Sequence, residues 1–511
     1  MLLFLTGIVL LVVGYLTYGR FVEKVLGPDD RVTPAIKQAD GVDYVVLPHW
    51  KNMLIQLLNI AGVGPVIGVI AGIKFGAIVF LLIPIGNIIG GATHDFIAGM
   101  ASLRNRGANL PYFIKLTLGN VYYRAFSAFT VFLLALVVAV FINVPANLID
   151  KTFLPNIPFF WGAVGAIFLY YIVATMFPVD KIIGKLYPIF GGVLLVGSGA
   201  LLVALLIRGF GDPSILQESE AFKAGKLTQP IIPCLFVTIA CGILSGFHAT
   251  QSPIIARTMK TERQARSSFY GMMVLEGVVA MIWAGAALAI YNKVPELMAE
   301  NPNLVLAKIT EDFLGSWLGK TTVVAVVVLA ITSGDTAMRS MRLTLAEMMK
   351  IDQKPISKRL AICAPIIAAI CALLWWSNQN AASFGKLWNY FAWGNQVLAA
   401  STLAAGAAWL YGLKKQGWIA AVPGAFMTFV VVSYILWTST AHGGPTGFGL
   451  ELPVAYALAA VVTLVFIGWS VWRGLRFAKD GNVELEAPAE LETPLDGTPP
   501  ETVVRNIAEE K

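Results

Sequence analysis

Long apolar runs constrain this chain more than any other feature. A helix rises about 1.5 Å per residue, so roughly 20 apolar residues cross a hydrocarbon layer about 30 Å thick. Runs near this length occur thirteen times, at residues 2–19, 52–73, 76–103, 125–148, 158–178, 187–207, 230–256, 267–291, 319–345, 359–377, 384–412, 417–438 and 452–473. Charged residues make up only 13% of the 511 residues, about half the share in soluble domains. The sequence therefore predicts an all-α polytopic membrane protein with about 13 transmembrane helices.

Lys and Arg residues are shared unequally between alternate loops, which predicts the orientation. One set of loops holds 25 of these cations and the other set holds 9. Cytoplasmic loops are the ones enriched in Lys and Arg. The loops near Arg104, Arg257 and Arg339 belong to the richer set, so we predict that they are cytoplasmic, with the N-terminus outside and the C-terminus inside. These loops also explain the net charge of +7, and no nucleic-acid partner is expected.

Two predicted spans are interrupted by residues that break helices. The span at 52–73 contains Gly62, Gly64 and Pro65, and the span at 230–256 contains the stretch "SGFHATQSP". Glycine and proline weaken or remove helical hydrogen bonds, and lipid offers no replacement. Such breaks therefore face protein or a water-filled cavity.

The interrupted spans occupy matching positions. Five predicted spans begin at each of them, and an odd number of spans inserts the second unit upside down relative to the first. Broken helices at matching positions of inverted repeats mark the central site of secondary transporters, although glycine and proline are also common in transmembrane helices generally. The pattern favours a core of five-plus-five inverted repeats.

The predicted organisation follows from these spans. It consists of an N-terminal helix and cytoplasmic loop (1–49), a first five-helix repeat (50–208), a second, inverted five-helix repeat (229–412), two additional helices (413–475) and a cytoplasmic tail (476–511). The tail is acidic, rich in proline and nearly free of aromatic residues. That composition is typical of disordered segments.

Three carboxylates within the predicted spans are candidates for proton coupling, because a charge at membrane depth is costly. Glu276 has no cation within a helical turn, and a carboxyl group buried without a partner favours its protonated form. Asp335 lies one turn before Arg339, where a structural ion pair is an equally good explanation. Asp95 is the third candidate, with a capping or locking role near the intracellular gate as the alternative.

His248, in the second broken span, is the natural second titrating group, because imidazole titrates near physiological pH. His94 adjoins Asp95, but consecutive helical residues are about 100° apart, so we expect it to point elsewhere.

The two breaks, at Gly62–Pro65 and Gly246–Pro253, are predicted to face each other and to bind substrate. The N-terminus of a half-helix favours an anion by about 0.3–2 kcal/mol, so a carboxylate-bearing solute suits such a site. The candidate substrate-binding residues are Asn59, Gly62, Gly64, Ser245, His248, Thr250, Gln251 and Ser252.

Several stretches of the sequence resemble the carbon starvation A (CstA) family of transporters. They include "IAGVGPVIG" (60–68), "GGATHDFIAGMASLRNRG" (90–107), "VTIACGILSGFHATQSPIIARTMK" (237–260) and "AITSGDTAMRSMRLTLAE" (330–347). The resemblance implies a leucine-transporter-type fold in the inner (plasma) membrane. It also implies uptake of peptides or, for some members, proton-coupled uptake of pyruvate, with no cofactor.

The same resemblance raises sodium as an alternative coupling ion. In transporters of the leucine-transporter type, a sodium ion lies between the first broken helix and the predicted span that here contains Thr332, Ser333 and Thr336. Hydroxyl and carbonyl oxygens suit a hard cation. These hydroxyls would otherwise bond back to carbonyls of their own helix.

The sequence thus favours a secondary active importer of small carboxylate-bearing nutrients, coupled to protons, over three alternatives. The nearest is a sodium-coupled importer of peptides or amino acids. An intramembrane enzyme and a starvation sensor are more distant, since no HExxH motif and no nucleophile elbow occur and the cytosolic loops are short. The lack of a Walker GxxxxGK[ST] motif argues against ATP-driven pumping.

Overall fold

The computed structural model of the protein describes residues 1–154, 157–176, 183–353, 355–442, 446–480 and 484–488. These residues form helices and connecting segments, and no β-strand occurs among them. Most of the predicted tail, at 481–483 and 489–511, lies outside the described residues, as does Lys181 of a predicted cytoplasmic loop.

The α-helices of the first part of the chain run up to Gly211. They are α1 Leu2–Leu16, α2 Tyr18–Leu26, α3 Pro34–Lys37, α4 His49–Ile60, α5 Val69–Gly72, α6 Val79–Gly86, α7 Ala92–Arg104, α8 Leu110–Leu118, α9 Asn120–Thr152, α10 Phe160–Met176 and α11 Ile183–Gly211. A π-helical turn, Gly64–Gly68, precedes α5, and another, Asn87–Gly91, joins α6 to α7.

The second part of the chain continues the pattern. Its helices are α12 Glu220–Gly225, α13 Phe236–Thr238, α14 Ala240–Ile243, α15 Phe247–Ala256, α16 Met272–Lys293, α17 Pro302–Met349, α18 Ile356–Ser377, α19 Ala381–Gly412, α20 Trp418–Trp437 and α21 Leu452–Asp480. π-helical turns, Ile231–Leu235 and Arg266–Gly271, precede α13 and α16. The long helix α17 kinks at Gly315, whose φ of 73° is in the left-handed region that glycine adopts at little cost.

The helices agree closely in position with the predicted spans. Within the described residues, nine helices are long and apolar enough to cross a membrane, or ten if the bent pair His49–Ile60 and Gly64–Phe75 is one span. The other three predicted spans coincide with α10, with α19 and with the broken stretch at 231–256. The multi-span, all-helical architecture is therefore confirmed, whereas the count of thirteen and the repeat layout stay predictions.

Burial separates central from peripheral helices. In the most apolar window of Glu262–Lys293, which contains α16, 89% of the residues are buried, against 28% in Leu2–Leu26 and 28% in Leu452–Asp480. A helix that is apolar all round belongs in the interior when protein surrounds it and faces lipid when it does not. The α16 region is therefore central, and the two end helices lie at the periphery.

Charged groups gather at two ends of the helical bundle, as the alternation of cations predicts. At one end, Arg104 lies 3.3 Å from Glu262, and Arg31 lies 3.6 Å from the same carboxylate. At the other end, Arg208 pairs with Asp312 at 2.5 Å. The loops predicted to be cytoplasmic thus meet one another, which supports the alternation without assigning either end to a compartment.

The predicted orientation can be tested with two exposed side chains at opposite ends. Arg263 is 48% exposed and Lys223 is 51% exposed. In intact cells, an impermeant thiol reagent should label Lys223→Cys and leave Arg263→Cys unlabelled until the cells are permeabilised. The reverse pattern would mean that the N-terminus is inside.

Candidate functional site

Both predicted breaks are present in the helices. The first span stops at Ile60, and its axis bends by 55° before the helix resumes at Gly64. The second stops at Ile243 and resumes at Phe247. The predicted position of the second break, Gly246–Pro253, is wrong except for Gly246: the break lies at 244–246, and Pro253 lies inside α15.

Each half of the first broken span packs against one half of the second. Helix α4 contacts α15, while the turn Gly64–Gly68 contacts α14. A Cβ atom on Gly68 would lie 2.9 Å from the carbonyl oxygen of Thr238, so the backbones approach too closely there for any larger residue. This packing brings the two breaks together at the centre of the bundle.

Asn395 of α19 holds the second break in place. Its side-chain oxygen accepts a hydrogen bond from the Phe247 backbone N–H at 2.6 Å, and its amide nitrogen donates to Ser245 Oγ at 2.9 Å. A Cβ atom on Gly246 would overlap the backbone nitrogen of Ala399. Ser245 thus helps Asn395 to cap the N-terminus of α15. Sequence reasoning missed Asn395, although "GNQ" is a polar step inside a predicted span.

The other polar side chains of α15 also have partners in the structure. Thr250 Oγ1 donates to the Phe247 carbonyl at 2.6 Å, and Ser252 Oγ donates to the His248 carbonyl at 3.1 Å. Gln251 donates to Thr250 Oγ1 at 2.8 Å. These three candidate substrate ligands are therefore engaged within their own helix in this conformation.

Three helices bring the predicted titratable residues into one buried chain. The Asp95 carboxylate of α7 lies 2.9 Å from His248 Nδ1 of α15, and His248 Nε2 lies 3.6 Å from Glu276 Oε2 of α16. His94 Nδ1 lies 2.8 Å from the other oxygen of Asp95. All four side chains are fully buried.

His94 departs from the sequence expectation that it points away from Asp95. Helical spacing fixes the directions of the Cβ atoms, about 100° apart, but the imidazole is long enough to bend back to the neighbouring carboxylate. Asp95 therefore lies between two imidazole rings.

The direction of the hydrogen bonds gives His248 a defined chemical role. An ionised carboxylate only accepts, so the Nδ1 atom of His248 is the donor to Asp95. Its Nε2 atom is then free to hold or release a proton on the side facing Glu276. Neither oxygen of Glu276 has a hydrogen-bond partner among the described residues, and Oε2 lies 3.6 Å from His248 Nε2, so each group is a candidate acceptor for a proton that leaves the other.

Two amide side chains just before the first break are buried without partners. Gln56 and Asn59 are fully buried, and none of their side-chain nitrogen or oxygen atoms is hydrogen-bonded within the described part of the chain. Burying such a group unpaired costs about 1–3 kcal/mol, so this position suits a polar ligand or water. Asn59 was a predicted substrate ligand. Gln56 was missed, although its i,i+3 spacing places it on the same helix face.

An aromatic cluster lies beside both breaks. The Phe141 ring of α9 meets the Phe247 ring at 6.0 Å and the Phe391 ring at 5.8 Å. A Cβ atom on Gly62 would lie 2.5 Å from Phe141 Cζ. Gly62 thus allows the Phe141 ring to pack closely against the first break. In this conformation the ring, and not a substrate, occupies the space beside Gly62.

The candidate sodium ligands touch the first broken helix at one point. Ser333 Oγ donates to the Leu58 carbonyl at 2.8 Å, two residues before α4 ends. Thr332 Oγ1 donates to Leu329 at 2.9 Å, and Thr336 Oγ1 donates to Ser333 at 3.1 Å. No group of three or more His, Cys, Asp or Glu side chains in the described residues is arranged to hold a metal ion.

Asp335 and Arg339 both make contacts with other segments. Asp335 accepts a hydrogen bond from the Tyr170 hydroxyl at 3.3 Å. Arg339 Nη1 lies 3.0 Å from Asp43 Oδ1, and Arg342 lies 3.3 Å from the same oxygen. Burial alone would raise the pKa of Asp43, but Arg342 and Arg339 hold it below its ordinary value. This ion cluster ties the loop before α4 to α17.

The architecture defines the class of protein. It is similar to a manganese transporter of Eremococcus coleocola, in the crystal structure of a point mutant of that protein, with a TM-score of 0.52 and 14% identity. The alignment covers 86% of this chain and 99% of that one. The protein is therefore an all-helical membrane protein with the leucine-transporter fold.

The sequence itself places the chain within a family. It matches the family described as Carbon starvation protein CstA over residues 1–185, 162–311 and 304–434, and the chain belongs to this family. A Bacillus subtilis protein named Peptide transporter CstA is 25% identical over 94% of this chain and 97% of its own length. An uncharacterized membrane protein of Haemophilus influenzae is 38% identical over 57% of this chain and 92% of its own length. The family resemblance seen in the sequence is confirmed.

The tight packing at the second break predicts a large effect of one added methyl group. Gly246→Ala should lower the melting temperature of the purified protein, because the new Cβ meets backbone atoms of α19 that have little freedom to move; overpacking of this kind costs about 1–3 kcal/mol. Gly468→Ala is the matched control, since its Cβ would meet nothing within 4 Å. Equal thermal unfolding curves for both variants would contradict the packing.

Proposed function

We propose that the protein is a secondary active importer of small carboxylate-bearing nutrients, coupled to protons, in the inner membrane. The observation that carries the proposal is the buried row of His94, Asp95, His248 and Glu276, in which His248 lies in the first turn of α15, directly after the second break. Titratable groups at membrane depth are typical of proton relays. The family and the fold neighbours are transporters, which favours a carrier over an enzyme or a sensor.

The substrate class follows from the groups that lack partners. The amides of Gln56 and Asn59 offer N–H donors, and the first break ends α4 beside them. A carboxylate accepts from such donors, and pyruvate and short peptides both carry one. We place the solute between the two breaks, with Asn59, Gly62 and Gly64 on one side. Ser245, His248, Thr250, Gln251 and Ser252 then shape the opposite side. The compact site slightly favours the smaller monocarboxylate, with short peptides as the alternative.

Proton coupling would use movement of the three helices that carry this row of titratable side chains. Asp95, His248 and Glu276 belong to α7, α15 and α16 respectively. With the proton on His248 the imidazolium is held between two carboxylates, whereas with the proton on Glu276 one of these attractions is lost. The position of the proton would therefore bias how tightly the helices pack, which is what coupling by alternating access requires.

Sodium coupling is retained as a second candidate because of one contact. The Ser333 hydroxyl lies on the Leu58 carbonyl, so a cation at this point could bind both oxygens and tie α17 to the first broken helix. Asp335 belongs to the same helix and is the remaining candidate coupling carboxylate. Uptake that follows a sodium gradient in the absence of a proton gradient would favour this alternative.

Glu276→Gln separates carrier activity from proton coupling. In proteoliposomes, the wild-type protein should exchange labelled for unlabelled substrate and should also accumulate substrate against its gradient when a proton gradient is applied. The amide keeps the shape of the side chain but cannot release a proton. The variant should therefore keep exchange within about twofold and lose proton-driven accumulation.

A panel of pyruvate, dipeptides, tripeptides and amino acids identifies the substrate in the same assay. If Glu276→Gln accumulated substrate to the wild-type level, the role of Glu276 would be structural. Failure of the wild-type protein to exchange any member of the panel would contradict the carrier proposal itself.

A further inference from the structure

A cavity of about 680 Å³ opens at the end of the bundle that is predicted to face outside. Its wall is formed by the end of α9, both sides of the Gly315 kink in α17, the end of α18 and the start of α19. Three lysines line it, Lys151, Lys308 and Lys320, with Glu311 as the one acidic lining residue. All three lysine side chains are exposed. Lys308 pairs with Glu311 at 3.2 Å and Lys151 with Asp150 at 3.5 Å, so the net positive charge of the lining is small and Lys320 contributes most of it.

The inner wall of the cavity leads toward the breaks through one hydrogen-bonded group. Ser377 and Asn378 line the cavity. Asn143 donates to Ser377 Oγ at 3.1 Å and accepts from the Asn378 amide at 2.7 Å. Asn143 lies two residues after Phe141, whose ring contacts both breaks. On α19, Phe384 lines the cavity and Phe391 of the aromatic cluster lies two turns further along the same helix face, so the cluster lies deeper along α19 than the cavity.

We propose that this cavity is an outer binding site that receives a carboxylate-bearing solute before it passes the aromatic cluster. The proposal rests on the proposed transport function. The net positive charge of the lining attracts the anion, since a cleft with an excess of one sign of charge raises the local concentration of its counter-ion. Amide side chains of the wall, including Asn378 and Asn380, supply hydrogen-bond donors.

The test uses lysine-to-glutamine variants in proteoliposomes, with labelled pyruvate and labelled dialanine as probes. Replacing Lys151, Lys308 and Lys320 together should raise the apparent KM about three- to tenfold at low ionic strength and leave the maximal rate unchanged. At ~1 M salt the difference should vanish, because the screening length falls to about 3 Å. Lys320→Gln and Lys223→Gln form a matched pair, since both remove one charge at the same end of the bundle and only the first lines the cavity.

The outcomes distinguish this proposal from the transport function. If the wild-type protein exchanges a probe and the triple variant has the wild-type KM and salt dependence, the outer site is wrong and the carrier stands. If the wild-type protein exchanges neither probe, the proposed function and the outer site both fail. If Lys223→Gln and Lys320→Gln changed the apparent KM equally, the effect would come from general surface charge, and the outer site would be wrong.

A separate observation concerns residues 484–488, which belong to the predicted disordered tail. Of the predicted tail at 476–511, the first five residues belong to α21, and residues 484–488 make defined contacts with the bundle. Leu485 is 4% exposed, and its carbonyl accepts from Trp409 Nε1 at 3.2 Å. The Ala487 backbone N–H donates to the Arg104 carbonyl at 2.9 Å. An apolar side chain and two main-chain groups therefore dock this segment onto the predicted cytoplasmic end.

Glu486 joins the docked segment to the elements next to both broken spans. Its carboxylate lies 2.9 Å from Arg104 and 3.2 Å from Arg31. Arg104 also lies 3.3 Å from Glu262 and donates to the Gly27 carbonyl at 2.5 Å. Arg31 precedes the first broken span, Arg104 ends the helix that carries Asp95, and Glu262 follows α15. Glu486 thus bridges segments that must separate for a path to open at this end.

We further propose that residues 484–488 form a latch that holds the cytoplasmic path closed. Leu485→Ala combined with Glu486→Gln should raise the initial rate of exchange about two- to tenfold and increase hydrogen exchange of the backbone amides in the loop at 27–48. Glu484→Gln is the matched control, because Glu484 is exposed in the same segment. Glu486→Gln alone, which removes the charge but not the apolar contact, should have a smaller effect in the same direction.

The exchange rate and the melting temperature of each variant together test the latch. Unchanged or reduced exchange rates in variants that melt at the wild-type temperature would overturn the latch. Faster exchange in Glu484→Gln as well would also overturn it, since the effect would then come from tail charge and not from the docked contacts.

Discussion

Main-chain hydrogen bonding at the two breaks is the constraint on which the rest of this structure depends. A break at membrane depth frees N–H and C=O groups that lipid cannot satisfy, so protein must satisfy them. At the second break, Asn395 accepts from the Phe247 N–H and reaches Ser245, and Gly246 allows α19 to come close enough for this. The position of α19 and the start of α15 are therefore set together, which also fixes where His248 lies.

The sequence predicted those features that depend on one segment at a time. Apolar length predicted the spans, glycine with proline predicted the first interruption, and at the second interruption Gly246 was predicted correctly but Pro253 was not. Carboxylates inside apolar runs identified Asp95 and Glu276, which the structure joins through His248. The contact of His94 with Asp95 was not predicted, because helical spacing describes the directions of Cβ atoms and not the reach of a side chain.

What the sequence could not predict depends on contacts between distant segments. Asn395 acts on a residue 148 positions away, and nothing in its own neighbourhood specifies that partner. Gln56 stands out only once burial shows that its amide has no partner among the described residues. Composition predicts a disordered tail, yet Leu485 is buried and Glu486 forms ion pairs with two arginines. The average composition of the 36 tail residues does not reveal the five, 484–488, that contact the helical bundle.

The ionic clusters at the end of the bundle that is predicted to be cytoplasmic differ from the buried titratable side chains at the centre in how their charges are paired. Arg31 and Arg104 both pair with Glu486, and Arg342 with Arg339 holds the pKa of Asp43 below its ordinary value, so these ion pairs tie separate segments together. In the central chain, two carboxylates share His248, and Glu276 lies at 3.6 Å, beyond hydrogen-bond distance. Direct proton transfer needs donor and acceptor within hydrogen-bond reach, so in the proposed mechanism α15 and α16 would have to approach each other before a proton passes between His248 and Glu276. The ion pairs tie neighbouring segments to one another, and under the proposed function a proton shared by His248 and Glu276 would supply a change of charge that a bound solute or a moving helix could bias.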